Sequence, residues 1–206
     1  MSTVTSIKPQ RNGKRLNVYL DGEFSFGIDL ENFVKAGLKV DQELSEEKIK
    51  EIIKKAEFQK TLDKLLRFTT LRLRSEKEIK DWLRKKKVHA SLYQELFSRL
   101  KKLELIDDEK FAKWWVEQRQ SFRPKPKRIL NTELRTKGIT KEIIEKVLEE
   151  TKIDEVKMAM ELLEKKMYKW QGLEPRLTRQ KMSQYLVGKG FEWDTISNAV
   201  DDLEKK

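Results

Sequence analysis

Apolar and polar residues alternate near the start of the chain and then change to a spacing of three and four. Val4 to Ile7 is a short candidate strand. Arg15 to Leu20 and Glu23 to Ile28 flank Asp21-Gly22, a two-residue hairpin signal. Phe24, Phe26 and Ile28 alternate as one face of a strand, and Asn12-Gly13 marks a second turn. A short helix is expected from about Leu30 to Ala36, stopped by Gly37. Ser45 is positioned to cap a helix reaching into the 50s. Three short strands are marginal alone, so this module must lean on helices.

From about residue 58 the pattern is helical and it repeats. Leu83, Leu134 and Leu186 lie 51 and 52 residues apart, and each opens the same signature: Leu, two residues, Lys, then Lys or Gly, then an apolar residue. Ile79, Leu130 and Met182 stand four residues before them. The apolar positions that follow also coincide: Leu92, Tyr93, Leu96 and Phe97, then Ile143, Ile144, Val147 and Leu148, then Ile196, Ala199 and Val200, with Thr195 alone off pattern. Agreement at so many offsets marks an internal repeat. Each copy reads as three helices, the second closed by a left-handed residue at Lys-Lys or Lys-Gly. Ser75 with Glu78 fits a capping box, Asp107 or Asp108 can cap the helix carrying Phe111, and Thr140 the one carrying Ile143. The expected fold is mainly α: tandem three-helix repeats packed into an elongated, curved body behind a small N-terminal β-hairpin module. The divisions fall at 1–57, 58–106, 107–152 and 153–206.

Composition narrows the chemistry. The 206 residues contain no cysteine and one histidine, His89, which excludes disulfides, thiolate zinc sites and a cysteine nucleophile. No apolar run exceeds three residues, so neither a transmembrane helix nor a signal-peptide core is expected, and the chain reads as intracellular and cytoplasmic. Walker and dinucleotide glycine motifs are missing. Most carboxylates stand at helical spacing from lysines, as Glu142/Lys146 and Glu161/Lys165 do, and read as surface pairs. Asp107, Asp108 and Glu109 could hold a metal, but capping explains them more simply. His89 reads as a surface residue. An enzyme has no positive support here; neither a cofactor nor a metal is expected.

Charge points to a partner. The net charge is +11, and residues 58–150 carry 25 cations against 15 anions while both flanks are nearly balanced. A localised excess argues for an anionic partner. Two runs carry it: Arg84-Lys85-Lys86-Lys87, and residues 119–128, with five cations and no acid. The first is also explained as a solvated helix end. The second spans a proline-containing loop. Phe111, Trp114 and Trp115 follow core spacing. Phe122 lies between Arg119 and Arg123 where a helix is ending; it either tucks the loop onto the core or offers a ring to a base or a partner's pocket.

Taken in order, these residues resemble the RecX family of regulatory proteins, bacterial modulators of the RecA recombinase. The middle repeat carries the clearest resemblance, in Asp108, Phe111-Ala112, Trp115-Val116, Arg119, Pro126, Ile129, Glu133-Leu134 and Lys137-Gly138-Ile139. Arg74-Ser75, Glu78-Ile79 and Leu83 add to it in the first repeat, and Lys189-Gly190-Phe191 in the third. The N-terminal hairpin and helix resemble the extension of longer family members. Two departures stand out: Lys125 replaces the glycine of a usual Gly-Pro pair, and Lys87 replaces another usual glycine. The resemblance implies an all-helical repeat protein that binds the RecA–DNA filament along its groove, inhibits strand exchange and ATP hydrolysis, and in some members binds DNA directly. From charge position, the candidate RecA or DNA contacts are Arg119, Phe122, Arg123, Lys125, Lys127 and Arg128, then Arg84, Lys85, Lys86 and Lys87. Arg119 also fits a structural role. No dimer seam is evident, so a monomer is expected. The competing reading is a protein acting on single- or double-stranded DNA by itself; lacking a base-reading helix, it would be phosphate-dominated and salt-dependent.

Overall fold

A computed structural model describes residues 1–11 and 13–205. Asn12 of the expected second turn lies outside the described residues. The N-terminal strands are β1 (Ser2–Pro9), β2 (Arg15–Leu20) and β3 (Glu23–Asp29), followed by α1 (Leu30–Ala36), which ends at Gly37. A strand the hydrophobic pattern missed, β4 (Glu43–Leu44), completes an antiparallel sheet of order β3-β2-β1-β4. It has only two residues, too few to show a period.

The β2–β3 hairpin turns at Asp21-Gly22, both with positive φ, as its type requires. One expectation is corrected here. Val18 pairs with Phe26 but Tyr19 pairs with Phe24, leaving Ser25 as an extra residue. That bulge breaks the alternation, so Phe24 is exposed against Tyr19 while Phe26 and Ile28 are buried.

Helix α2 (Glu46–Thr70) starts where Ser45 Oγ accepts the Lys48 N–H. It continues well past the 50s, so positions 57 and 58 both lie inside it. Ile52 and Ala56 close the core of the sheet with Val4, Val18, Leu20, Phe26, Ile28, Leu38 and Leu44.

The remaining helices are α3 (Glu76–Lys85), α4 (Tyr93–Lys102), α5 (Asp108–Phe122), α6 (Lys127–Thr136), α7 (Lys141–Glu150), α8 (Glu155–Glu164), α9 (Pro175–Lys189) and α10 (Trp193–Glu204). Helices α5–α7 enclose a core of Phe111, Ala112, Val116, Leu130, Leu134, Ile139, Ile144, Val147 and Leu148. Helices α8–α10 enclose Ala159, Leu163, Met182, Leu186, Phe191, Ile196, Ala199 and Val200. The repeat signature is repeated in three dimensions. Leu83, Leu134 and Leu186 are fully buried. Their carbonyls accept the N–H groups of Val88, Ile139 and Phe191 at 3.1–3.2 Å, and Lys87, Gly138 and Gly190 take the left-handed conformation. These are Schellman closures, which satisfy the terminal carbonyls of α3, α6 and α9.

By contact, the chain divides into two compact units, residues 1–72 with 82–105, and residues 73–81 with 106–206. Among the described residues no helix is long and apolar enough to cross a membrane.

Candidate interface of the middle repeat

The acidic cluster is used within the fold. Asp107 Oδ1 accepts the N–H groups of Glu109 and Lys110 and caps α5. Asp108 Oδ1 accepts the Glu76 N–H at the start of α3. Glu109 is gripped by Lys146 on α7 at 2.8 Å and Lys113 at 3.0 Å. These hydrogen bonds, from Lys146 first and Lys113 second, hold its carboxyl below the ordinary value of 4.5. No group of three or more metal-ligating side chains occurs among the described residues.

The turn after α6 is sewn to the start of α3. Ser75, wholly buried, accepts the Glu78 N–H and donates to the Lys137 carbonyl. Lys137 Nζ pairs with Glu78 at 2.7 Å, and Lys77 Nζ donates to the Thr136 carbonyl. Position 138 is crowded by this docking: a Cβ there would stand 2.6 Å from Lys77 Cβ.

Arg119 belongs to the same framework. Its Nε donates to Glu133 Oε2 at 2.8 Å, and the same oxygen accepts Trp115 Nε1–H at 2.8 Å. The guanidinium lies 4.7 Å from the Trp115 ring centre, with Lys137 4.8 Å from that ring. The cation–indole–carboxylate cluster locks α5 to α6.

One turn further on, the surroundings change. Phe122, the last residue of α5, is 78% exposed, so its ring does not tuck the loop onto the core. With Trp114, Trp115, Gln118, Arg119 and Arg123 it lines a cleft of about 290 Å³. Arg123 and Arg128 are exposed, and Lys125 and Lys127 are half-buried. None of these four makes an ion pair among the described residues. The loop backbone itself is held, since Gln120 Nε2 donates to the Lys125 carbonyl and Pro126 is buried. Glu155 accepts the Lys127 N–H at 2.5 Å, so a carboxylate of this chain already occupies the N-terminus of α6, where a phosphate would otherwise sit. The arrangement offers flat aromatic surface beside unpaired cations, suited to a base or an apolar side chain next to an anion.

The other basic run lies elsewhere. Arg84, Lys85, Lys86 and Lys87 are all exposed at the end of α3, in the first compact unit. Lys86 and Lys87 line a cleft with Lys60 and Lys64 of α2, whereas Arg84 and Lys85 lie outside its lining. Hydropathy patterning alone did not single out Lys60 and Lys64. Their spacing of four on one helix was a visible signal, but only folding shows what they face. His89 is exposed and caps a 3-10 turn through Nδ1, which meets Ser91 Oγ at 2.8 Å.

Known proteins share this architecture. Residues 2–45 match the regulatory protein RecX N-terminal domain, residues 107–148 the second RecX three-helix domain, and residues 153–200 the third. A regulatory protein RecX of Bacillus licheniformis is 35% identical over 99% of this chain and 78% of its own length. One from Clostridium perfringens is 32% identical over 98% of this chain and 97% of its own. The crystal structure of a regulatory protein RecX superposes with a TM-score of 0.75 at 24% identity, covering 98% of this chain and all of that one. RecX from Lactobacillus salivarius gives 0.67 at 26% identity, over 73% of this chain and 98% of its own. A full-length match at this identity, on the same strand-and-repeat framework, establishes that the chain belongs to the RecX family of regulatory proteins.

Proposed function

We propose that this protein binds the RecA–DNA filament as a non-enzymatic monomer in the cytoplasm, inhibits RecA strand exchange and ATP hydrolysis, and so modulates recombination and DNA repair. Its membership of a regulatory family supports this reading. The observation that carries it is the surface at the end of α5, where exposed Phe122 is followed by Arg123, Lys125, Lys127 and Arg128 with no ion-pair partner among the described residues. A filament presents both protein and phosphate, and this surface combines an apolar anchor with cations. Arg119 supports the surface from below, through Glu133. The four repeat-and-module divisions at 1–57, 58–106, 107–152 and 153–206 are part of the same proposal, each repeat adding surface for the filament.

The test is RecA's single-strand-dependent ATP hydrolysis, titrated with this protein beside binding to bare single strands in the same salt. Inhibition well below the concentration that occupies bare DNA supports action on the filament. Inhibition only at saturation of bare DNA means competition for DNA and refutes the proposal. Replacing Arg123, Lys125 and Lys127 by Ala is expected to weaken inhibition with helicity and melting unchanged. Full retention of inhibition removes this loop from the contact surface.

A further inference from the structure

The turn that closes the second helix of each repeat is built three times with the same hydrogen bonds, but its surroundings differ. At Gly138 the space of a side chain is taken by Lys77, and at Gly190 by Ile129, whose Cδ1 an added Cβ would overlap. In the first repeat the position is Lys87, with φ +54, a conformation that disfavours any residue bearing a Cβ. A strained lysine replaces two glycines, and beside it lies an open cleft of about 390 Å³. Backbone strain held in place by its surroundings is a pointer to function.

Four lysines line this cleft from two segments of chain. Lys60 and Lys64 stand one turn apart on the same face of α2, and Lys86 and Lys87 come from the turn. One carboxylate, Glu57, lines it with them. None of the four lysines makes an ion pair among the described residues. Like charges gathered in a half-enclosed space repel one another, and a bound polyanion relieves that repulsion. Trp82 forms part of the wall, its ring stacked on Phe68 at 5.6 Å and 24°. A buttressed indole beside lysines suits the two groups that a single strand presents, a base face and a phosphate.

We infer that this cleft binds the backbone phosphates of single-stranded nucleic acid, with Lys60, Lys64, Lys86 and Lys87 as the phosphate contacts and Trp82 as the stacking wall. It is a second contact, within the first compact unit, and it deepens the filament reading on which it rests, by assigning part of the recognition to the nucleic acid itself. Its test omits RecA, so the two can fail separately.

The experiment measures anisotropy of a labelled oligodeoxythymidylate with the full chain over a salt series. Changing all four lysines to Gln is expected to weaken binding by about tenfold or more, and to flatten the salt slope by about 0.7 for each phosphate no longer neutralised. Changing all four to Arg should keep both affinity and slope. Lys87→Gly is informative by itself: it should raise the melting temperature, because glycine accepts the left-handed turn, while flattening the slope. Inorganic polyphosphate should displace the oligonucleotide. Unchanged oligonucleotide affinity and slope in the Gln variant would overturn the inference, as would a Gln variant in which only polyphosphate binding or only duplex binding is weakened. RecA inhibition by the same Gln variant is a separate readout and bears only on the filament proposal.

Discussion

Gly138→Ala tests how the middle repeat is held to the start of α3. The new methyl group meets two costs. Position 138 has φ +83, and the left-handed region costs a residue with a Cβ about 1–2 kcal/mol. The methyl would also lie 2.6 Å from Lys77 Cβ and 2.9 Å from its Cδ. The Cβ sits next to the backbone and cannot swing aside, so the helices must separate; overpacking of this kind costs about 1–3 kcal/mol. The expected destabilisation is therefore about 2–5 kcal/mol. Separation also stretches the bonds from Ser75 and Lys77 to the carbonyls of Lys137 and Thr136. The assay is urea unfolding followed by circular dichroism and by tryptophan fluorescence, because Trp114 and Trp115 pack on this core. A loss below about 0.5 kcal/mol would refute the reasoning, since that is the range of a surface substitution away from any special feature.

Other outcomes follow from the same structure. Leu134→Ala should cost about 2–5 kcal/mol in the same unfolding assay, because Leu134 is wholly buried among residues of α5, α6 and α7. Glu133→Ala removes the acceptor shared by Trp115 and Arg119 and should cost about 1–3 kcal/mol, with a change in near-ultraviolet circular dichroism from the indole. Glu109 contributes to stability in its charged form. Its carboxyl is held below 4.5 by Lys146 and Lys113, so the contribution is present above the unfolded-state value and is lost as pH falls through the lower folded-state one. Melting measured from about pH 6 down to pH 3 should therefore fall less steeply in Glu109→Gln than in the parent; parallel curves would rule out this clasp.

Much of the fold was legible because the relevant interactions are local or periodic. The hairpin follows from Asp21-Gly22 between alternating strands, and the repeats from Leu83, Leu134 and Leu186 with their apolar companions. Caps at Ser45, Ser75 and Asp107 lie where their side chains reach the first turn. The extent of α2 was less legible, since its sequence carries no stop between Ser45 and Thr70 and a module boundary was read at its middle. Phe24 was misplaced because a bulge at Ser25 shifts the register, and no residue type announces one.

The candidate surfaces divide along the same line. Charge count and the prolines marked 119–128 from the chain alone, yet only packing separates its members. Arg119 is held by Glu133, fourteen positions away in sequence, and Phe122 is left in solvent. Lys60 and Lys64 acquire meaning only when α2 passes the turn at Lys86-Lys87. By itself the sequence determined the helices, their closures and the faces they bury, because each depends on neighbours within a few residues or on a period. Tertiary structure decided which cations are neutralised and which converge unpaired, because Coulomb and hydrogen-bond energies depend on distance in space, and in a folded chain that distance is set by packing.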